Sequence, residues 1–324
     1  MKKLALGALA TVLLPACAFV QGPLAGGGRA VAAPHATPAK PPVVGGCPVF
    51  PAGDPWNEDV SKLKVRKDSA QLIKSISAAD GKTTLHADFG GNGQYGIPFL
   101  VVPKKQKAWP VHYTAYGDES SPGPFAIPPH APVEGGQNSS GDRHVIALQS
   151  GTCRLFELYR AFWRGNHWDA DSGVNWNLRV DPHRPLGYTS ADAAGLPIFP
   201  GLVRYSEVHD GAIHHALRFT VAATQCGFIA PATHCASSSH NKALPPMGLR
   251  LRLKASYSLK RFHGQALVIL KALKTYGMIV ADNGSSWYIT GASSPKWNDQ
   301  DLDQLKTVPG AAFVAVDTGP IRHS

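Results

Sequence analysis

The chain is punctuated at short intervals by residues that interrupt helices, with 33 glycines and 27 prolines among its 324 residues. Proline removes a backbone donor and clashes with the preceding turn, while glycine is the most costly residue to order, so long helices do not survive such spacing. Short strands joined by tight turns do. With 44% hydrophobic and only 17% charged residues, the chain retains enough apolar side chains to bury a sizeable core. The expected fold is mainly β, a single antiparallel β-sandwich or jelly-roll-like domain with two or three short helices.

The first residues have a different grammar. Lys2 and Lys3 precede an apolar run from Leu4 to Val20, and Ala30-Val31-Ala32 places small side chains ahead of Ala33. A cationic start, an apolar centre and a small-x-small exit are the features of a secretory signal peptide. The run contains Pro15 and falls short of the roughly 20 apolar residues that a membrane span needs. Ala16-Cys17-Ala18 is an alternative exit, and Leu14-Pro15-Ala16-Cys17 is a poor lipobox whose second-position proline disfavours lipid on Cys17. The expected organisation is a leader at 1–32, a Pro/Ala/Gly-rich linker at 33–46, a folded domain at 47–318 and a tail at 319–324. The destination is then outside the cell, the periplasm or the envelope. No later run reaches membrane length, so no stable span is expected.

Cysteine usage agrees with export. Cys47, Cys153, Cys226 and Cys235 remain after the leader, an even number suited to an oxidising compartment. Cys226 and Cys235 bound the short loop CGFIAPATHC, whose ends meet at small entropic cost, so they are paired, which leaves Cys47 for Cys153. Zinc through His234 and Cys235 lacks the required ligand spacing, and neither a metal nor a cofactor is expected. The formal net charge of +10, part of which belongs to Lys2, Lys3 and Arg29, favours anionic partners such as acidic glycans or teichoic acids.

Asp68-Ser69-Ala70-Gln71 has capping-box spacing and predicts a helix over 69–78. Strands are expected at 97–102, 111–116, 144–149, 154–159, 212–221 and 249–256, with a long proline-rich loop at 117–141. Leu267, Leu270 and Leu273 predict a helix over 265–276 that stops at Gly277. Met278–Ala281 and Ser286–Thr290 flank Asp282-Asn283-Gly284-Ser285 and predict a hairpin. Asn298 is expected to cap a short helix, and Ala312–Val316 to form a last strand. Four blocks, Cys47–Pro51, Gly141–Val145, Met247–Lys254 and Tyr276–Ile289, resemble a family of exported bacterial proteins usually left as hypothetical. The resemblance spans nearly all of the chain after the leader. It implies export and a single domain, and supplies neither an activity nor catalytic residues.

The sequence contains no G-x-S-x-G, Walker loop, H-E-x-x-H or G-x-G-x-x-G opening a helix, which removes the commonest hydrolase and nucleotide readings. Asp142 and His144 are candidates for acid/base chemistry, because residues two apart in extended chain share a face and a carboxylate there raises imidazole basicity. Glu157, enclosed between Leu155 and Tyr159, and Glu207 are a candidate carboxyl pair of the kind used in glycoside hydrolysis. His214 is a further candidate. Trp163, Trp168 and Trp176, interleaved with amides and charges, suggest an aromatic platform for sugar. Arg250, Arg252 and Lys254 alternate with leucines and form a cationic stripe suited to an acidic polymer, without the stacking aromatics that nucleic acid would need. The functional expectation is an exported protein acting on an acidic or cell-wall polysaccharide as a hydrolase or lyase. The alternative is a non-catalytic glycan-binding or envelope-associated module.

Overall fold

The structure is a computed structural model describing residues 40–181 and 184–323. The expected leader, with Cys17 and its processing sites, and the first part of the linker lie outside the described residues. No described helix is long and apolar enough to cross a membrane. Strands predominate over helices, and the helices are few and short.

β1 (Val43–Val44) and β2 (Cys47–Pro48) form a small antiparallel pair. Cys47 is bonded to Cys153, 106 residues away, and Cys226 to Cys235, the two pairings the spacing suggests. α1 (Ser69–Asp80) buries Leu72, Ile73 and Ile76 and ends at Gly81, whose φ of 75° is the left-handed conformation that side chains disfavour. Its start differs from the expected capping box. The Asp68 carboxylate makes no cap and instead takes the Arg66 guanidinium at 3.0 Å.

The next strands are β3 (Phe99–Val102), β4 (Val111–Tyr113), β5 (Val145–Gln149), β6 (Arg154–Tyr159), β7 (Phe162–Trp163), β8 (Trp168–Ala170) and β9 (Ser172–Asn177). They make a four-stranded sheet in the order β3-β5-β6-β9 and a three-stranded sheet in the order β4-β8-β7. β5 is buried on both faces. Ile146 and Leu148 face the main core, whereas Val145 and Ala147 face a second, smaller core. The proline-rich loop supplies Phe125, Ile127 and Val133 to that smaller core, so it covers the sheet rather than standing free in solvent.

The remaining elements are α2 (Tyr205–His209), β10 (Leu217–Val221), β11 (Arg250–Leu253), α3 (Gly264–Thr275), β12 (Met278–Asn283), β13 (Tyr288–Ile289), α4 (Asp299–Asp303) and β14 (Phe313–Ala315). They build a five-stranded sheet in the order β13-β10-β12-β11-β14. The predicted hairpin does not form, because β10 lies between β12 and β13, parallel to the first and antiparallel to the second. β12 runs on through Asp282 and Asn283, and neither Asn283 nor Gly284 takes the positive φ of a two-residue hairpin turn. Antiparallel pairs are the majority, but β3/β5, β4/β8 and β10/β12 are parallel, each across the long connection that parallel pairing requires. α1 packs on β14 and α3 on β11. Leu155, Val174 and Trp176 of the four-stranded sheet share the main core with Leu217, Phe219, Leu251 and Met278 of the five-stranded one.

Candidate active site

A polar cleft of about 400 Å³ lies where ends of these two sheets come together. The approach to β5 contributes Asp142 and His144, and the end of β6 contributes Tyr159. Asp282 comes from the end of β12, while Asp192 and His234 come from loops.

Asp142 and His144 both line the cleft, but they do not pair as a dyad. Arg143 between them takes a φ of 51°, and its buried guanidinium donates to the carbonyls of Ser139 at 2.8 Å, Gln137 at 2.9 Å and Ala161 at 3.1 Å. The carboxylate against His144 belongs instead to Glu134, in the proline-rich loop, with Oε2 2.6 Å from Nδ1. The other ring nitrogen, Nε2, lies 3.1 Å from the Ala191 carbonyl oxygen. Two acceptors require two donors, so His144 is an imidazolium with both protons committed. Burial opposes its charge, but the Glu134 carboxylate outweighs burial and holds the imidazole above its ordinary range. Glu134 is correspondingly held below the usual carboxylate range despite its own burial.

A second charged group, on β10, lies behind two of the cleft's carboxylates. Arg218 is buried between Leu217 and Phe219, where its charge needs hydrogen-bond acceptors, and two carboxylates supply them. Its Nε donates to Asp192 at 2.8 Å, and its two terminal nitrogens donate to Asp282 at 3.0 Å and to the Thr290 hydroxyl at 2.9 Å. The register shift between Phe219 and Thr220 sets Asp282 opposite Thr220, a bulge beside the cleft of the kind that re-aims a side chain. Asp192 is fully enclosed, whereas a quarter of the Asp282 side chain is exposed. Burial, reinforced by the Asp192 charge, pushes the Asp282 carboxyl up to about 6 against the pull of Arg218.

Tyr159 stands with its ring 5.6 Å from that of His144. Burial, then the neighbouring Asp142, holds its phenol above the ordinary range, so the hydroxyl stays protonated and acts as a donor. His234 Nδ1 lies 2.8 Å from the Ala193 carbonyl oxygen, which makes Nδ1 the donor and Nε2 the acceptor of the neutral ring. The cleft therefore combines a carboxyl that holds its proton up to about pH 6, an exposed carboxyl at Asp142, a phenol donor and a fixed imidazolium. Glu134, Asp142 and His144 approach one another within 4.8 Å, but with both His144 nitrogens committed the trio is a poor metal ligand set.

The other candidates lie elsewhere. Glu157 faces the main core, where it accepts from Trp176 Nε1 at 2.9 Å, Ile198 N at 3.0 Å and Phe199 N at 2.8 Å, and burial raises it to about 7. Glu207 does not meet Glu157; it holds Arg204 at 2.8 Å and His215 at 3.1 Å. His214 is exposed beside the Tyr276 hydroxyl, outside the cleft. Trp168 and Trp176 are buried, the first in the smaller core and the second in the main one. Trp163 is half-buried, edge-on to Trp109. The cationic stripe is not a free surface. Arg250 is buried and donates to the carbonyls of Pro55, Glu58 and Tyr276, Arg252 reaches the Leu63 carbonyl, and exposed Lys254 donates to that of Ala311. Sequence reasoning missed Glu134, Asp192, Arg218, His234 and Asp282 as site residues. The one legible signal was Arg218, a cation inside an apolar strand that demands carboxylates from elsewhere in the chain.

Set against protein-family models, curated proteins and solved structures, the chain matches none of them.

Proposed function

We propose that this chain is an exported enzyme that hydrolyses a cell-wall polysaccharide in the cleft holding Asp142, His144, Tyr159 and Asp282. The observation that carries the reading is the convergence of two carboxyls of unlike surroundings, Asp282 half-enclosed beside Arg218 and Asp142 exposed, in one polar cleft. Glycosidic hydrolysis uses such a pair: one carboxyl gives its proton to the departing oxygen and the other activates water or attacks the sugar. Asp282, held at about 6, is the acid, and Asp142 is its partner. Tyr159 supplies a donor for a sugar hydroxyl or for charge that develops on oxygen, and the charge of His144, at the cleft wall, holds Glu134 in place.

Elimination from a uronate fits less well. It needs a cation to neutralise the substrate carboxylate, and Arg218 and His144 are already matched to Asp192, Asp282 and Glu134. The exposed Asp142 carboxylate on the cleft also disfavours a polyanion, so a neutral or amino-sugar glycan suits it better than an acidic one. The leader pattern and the two disulfides support export. In the same reading the four- and five-stranded sheets, which share one core, are the layers of a β-sandwich whose strand ends frame the cleft.

The test is incubation of the purified mature protein with neutral, amino-sugar and uronate polysaccharides, reading reducing ends and unsaturated-uronide absorbance. Reducing ends without absorbance are expected. Asp142→Asn and Asp282→Asn should each lower turnover by roughly 10²-fold or more with the fold intact. In the wild type, turnover should fall as pH rises through about 6, where Asp282 loses its proton. Uronide absorbance, or full turnover in both variants, overturns the reading. Retention on a glycan column without any turnover supports the binding module instead.

A further inference from the structure

We propose that His112, His167 and Asp169 form a binding site for one divalent transition-metal ion of the zinc class, on the three-stranded sheet and separate from the polar cleft. The three side chains each offer one ligand atom, and these atoms lie within 4.8 Å of one another. Their convergence follows from register. β4 runs parallel to β8 with His112 directly beside Asp169, and alternation along β8 turns Trp168 and Ala170 into the smaller core while Asp169 faces outward. His167, one residue before β8, folds its ring over that of His112 at 4.1 Å between centroids. The turn that places it is closed by a hydrogen bond from Arg164 N to the His167 carbonyl at 2.9 Å.

The polar contacts around the trio favour a cation. His167 Nδ1 lies 2.6 Å from Asn166 Oδ1, so that nitrogen carries a proton and donates it. In the neutral ring Nε2 then presents a lone pair, and it faces Asp169 Oδ1 at 3.2 Å. Two acceptors at that distance repel unless a cation lies between them. A metal ion in that position would use the lone pairs of both imidazoles and the carboxylate.

The remaining details match what a zinc site needs. Zinc ligands at about 2.0–2.2 Å from a tetrahedral centre stand roughly 3.4 Å apart, close to the edge between His167 and Asp169. The second Asp169 oxygen, Oδ2, accepts from Arg164 Nε at 2.8 Å, which fixes the carboxylate plane, while Asn166 fixes the His167 tautomer. Two imidazoles with one carboxylate select zinc, nickel or copper over magnesium and calcium, which prefer oxygen. Three protein ligands on an exposed strand face leave a fourth position open to water or to an oxygen of a bound molecule.

The experiment is calorimetric titration of the untagged mature protein with zinc chloride, alongside melting curves with and without zinc. One equivalent is expected, with a dissociation constant on the order of micromolar, and zinc should raise the melting temperature by mass action. His112→Ala, His167→Ala and Asp169→Asn should each weaken binding by tenfold or more and abolish the thermal shift, with metal-free melting curves close to wild type. Asn166→Ala, which removes only the acceptor for Nδ1, should weaken binding about tenfold or more through orientation. Glu134→Gln, in the cleft, should leave zinc binding unchanged. Absence of binding, binding unaffected by His167→Ala and Asp169→Asn, or equal displacement by millimolar magnesium would overturn the proposal.

Discussion

Trp163 and Trp168 face each other across β7 and β8, yet their surroundings differ. The Trp168 indole is enclosed by the smaller core, and its Nε1 donates to the Ile127 carbonyl at 3.4 Å, whereas Trp163 keeps part of its ring in solvent. Removing a large enclosed ring costs both its transfer energy and the cavity left behind. Trp168→Ala is therefore expected to lose about 3–5 kcal/mol in denaturant unfolding, and Trp163→Ala distinctly less. A Trp168→Ala protein as stable as wild type would show that the indole is not a core residue. The density of aromatics between 159 and 176 is plain in the sequence, but which ring turns inward is decided by distant partners. The loop residues Phe125, Ile127 and Val133 cover one face of the sheet, and no periodicity within 159–176 reports them.

The carboxylate of Glu207 ties α2 to the start of β10. Burial opposes its charge, but Arg204 and His215 outweigh burial and hold it at about 2, against an ordinary 4.5. A depressed carboxyl stabilises the fold fully above the unfolded value and loses that contribution as pH falls towards the folded one. Glu207→Gln should thus lower stability by roughly 3 kcal/mol at pH 7 and by clearly less at pH 3, read from urea unfolding at both. An equal gap at the two pH values would count against the ion-pair account. Elements built from local contacts were the legible ones: the leucines of α3 and the isoleucines of α1 declare a helical face without reference to the rest of the chain. The β12–β13 segment was not legible, because its Asn-Gly signal is local and the insertion of β10 between the strands is not. That same insertion brings Arg218 to Asp282, so the missed topology and the missed Arg218–Asp282 pair have one cause. Asp142 and His144 were found because they neighbour each other in sequence, and Glu134 was missed because it lies ten residues away across a loop.

Across the whole molecule, the two disulfides constrain the chain on different scales. Cys47–Cys153 spans 106 residues and fixes β2 to the turn ahead of β6, whereas Cys226–Cys235 spans 9 residues within one loop. Closing a longer loop removes more freedom from the unfolded chain, about 4.7 kcal/mol for a loop near 100 residues and under about 3 kcal/mol for one shorter than 15. The loop closed by the long bridge contains the proline-rich cover, Glu134, Asp142 and His144, so this bond also limits how far the cleft's first wall can drift from the core that β5 and β6 share with the five-stranded sheet. Replacing Cys47 and Cys153 by Ser is therefore expected to lower the melting temperature more than replacing Cys226 and Cys235, and to reduce turnover on the responsive glycan at temperatures well below the melting point. The short bridge closes the loop carrying His234, and its removal should leave the His144 wall and global stability nearer to wild type. Melting curves of the two double variants, with thiol titration of the wild-type protein to show no free cysteine, decide the matter. Equal losses from the two double variants would mean that strain or residual structure, rather than loop length, sets what each bond contributes.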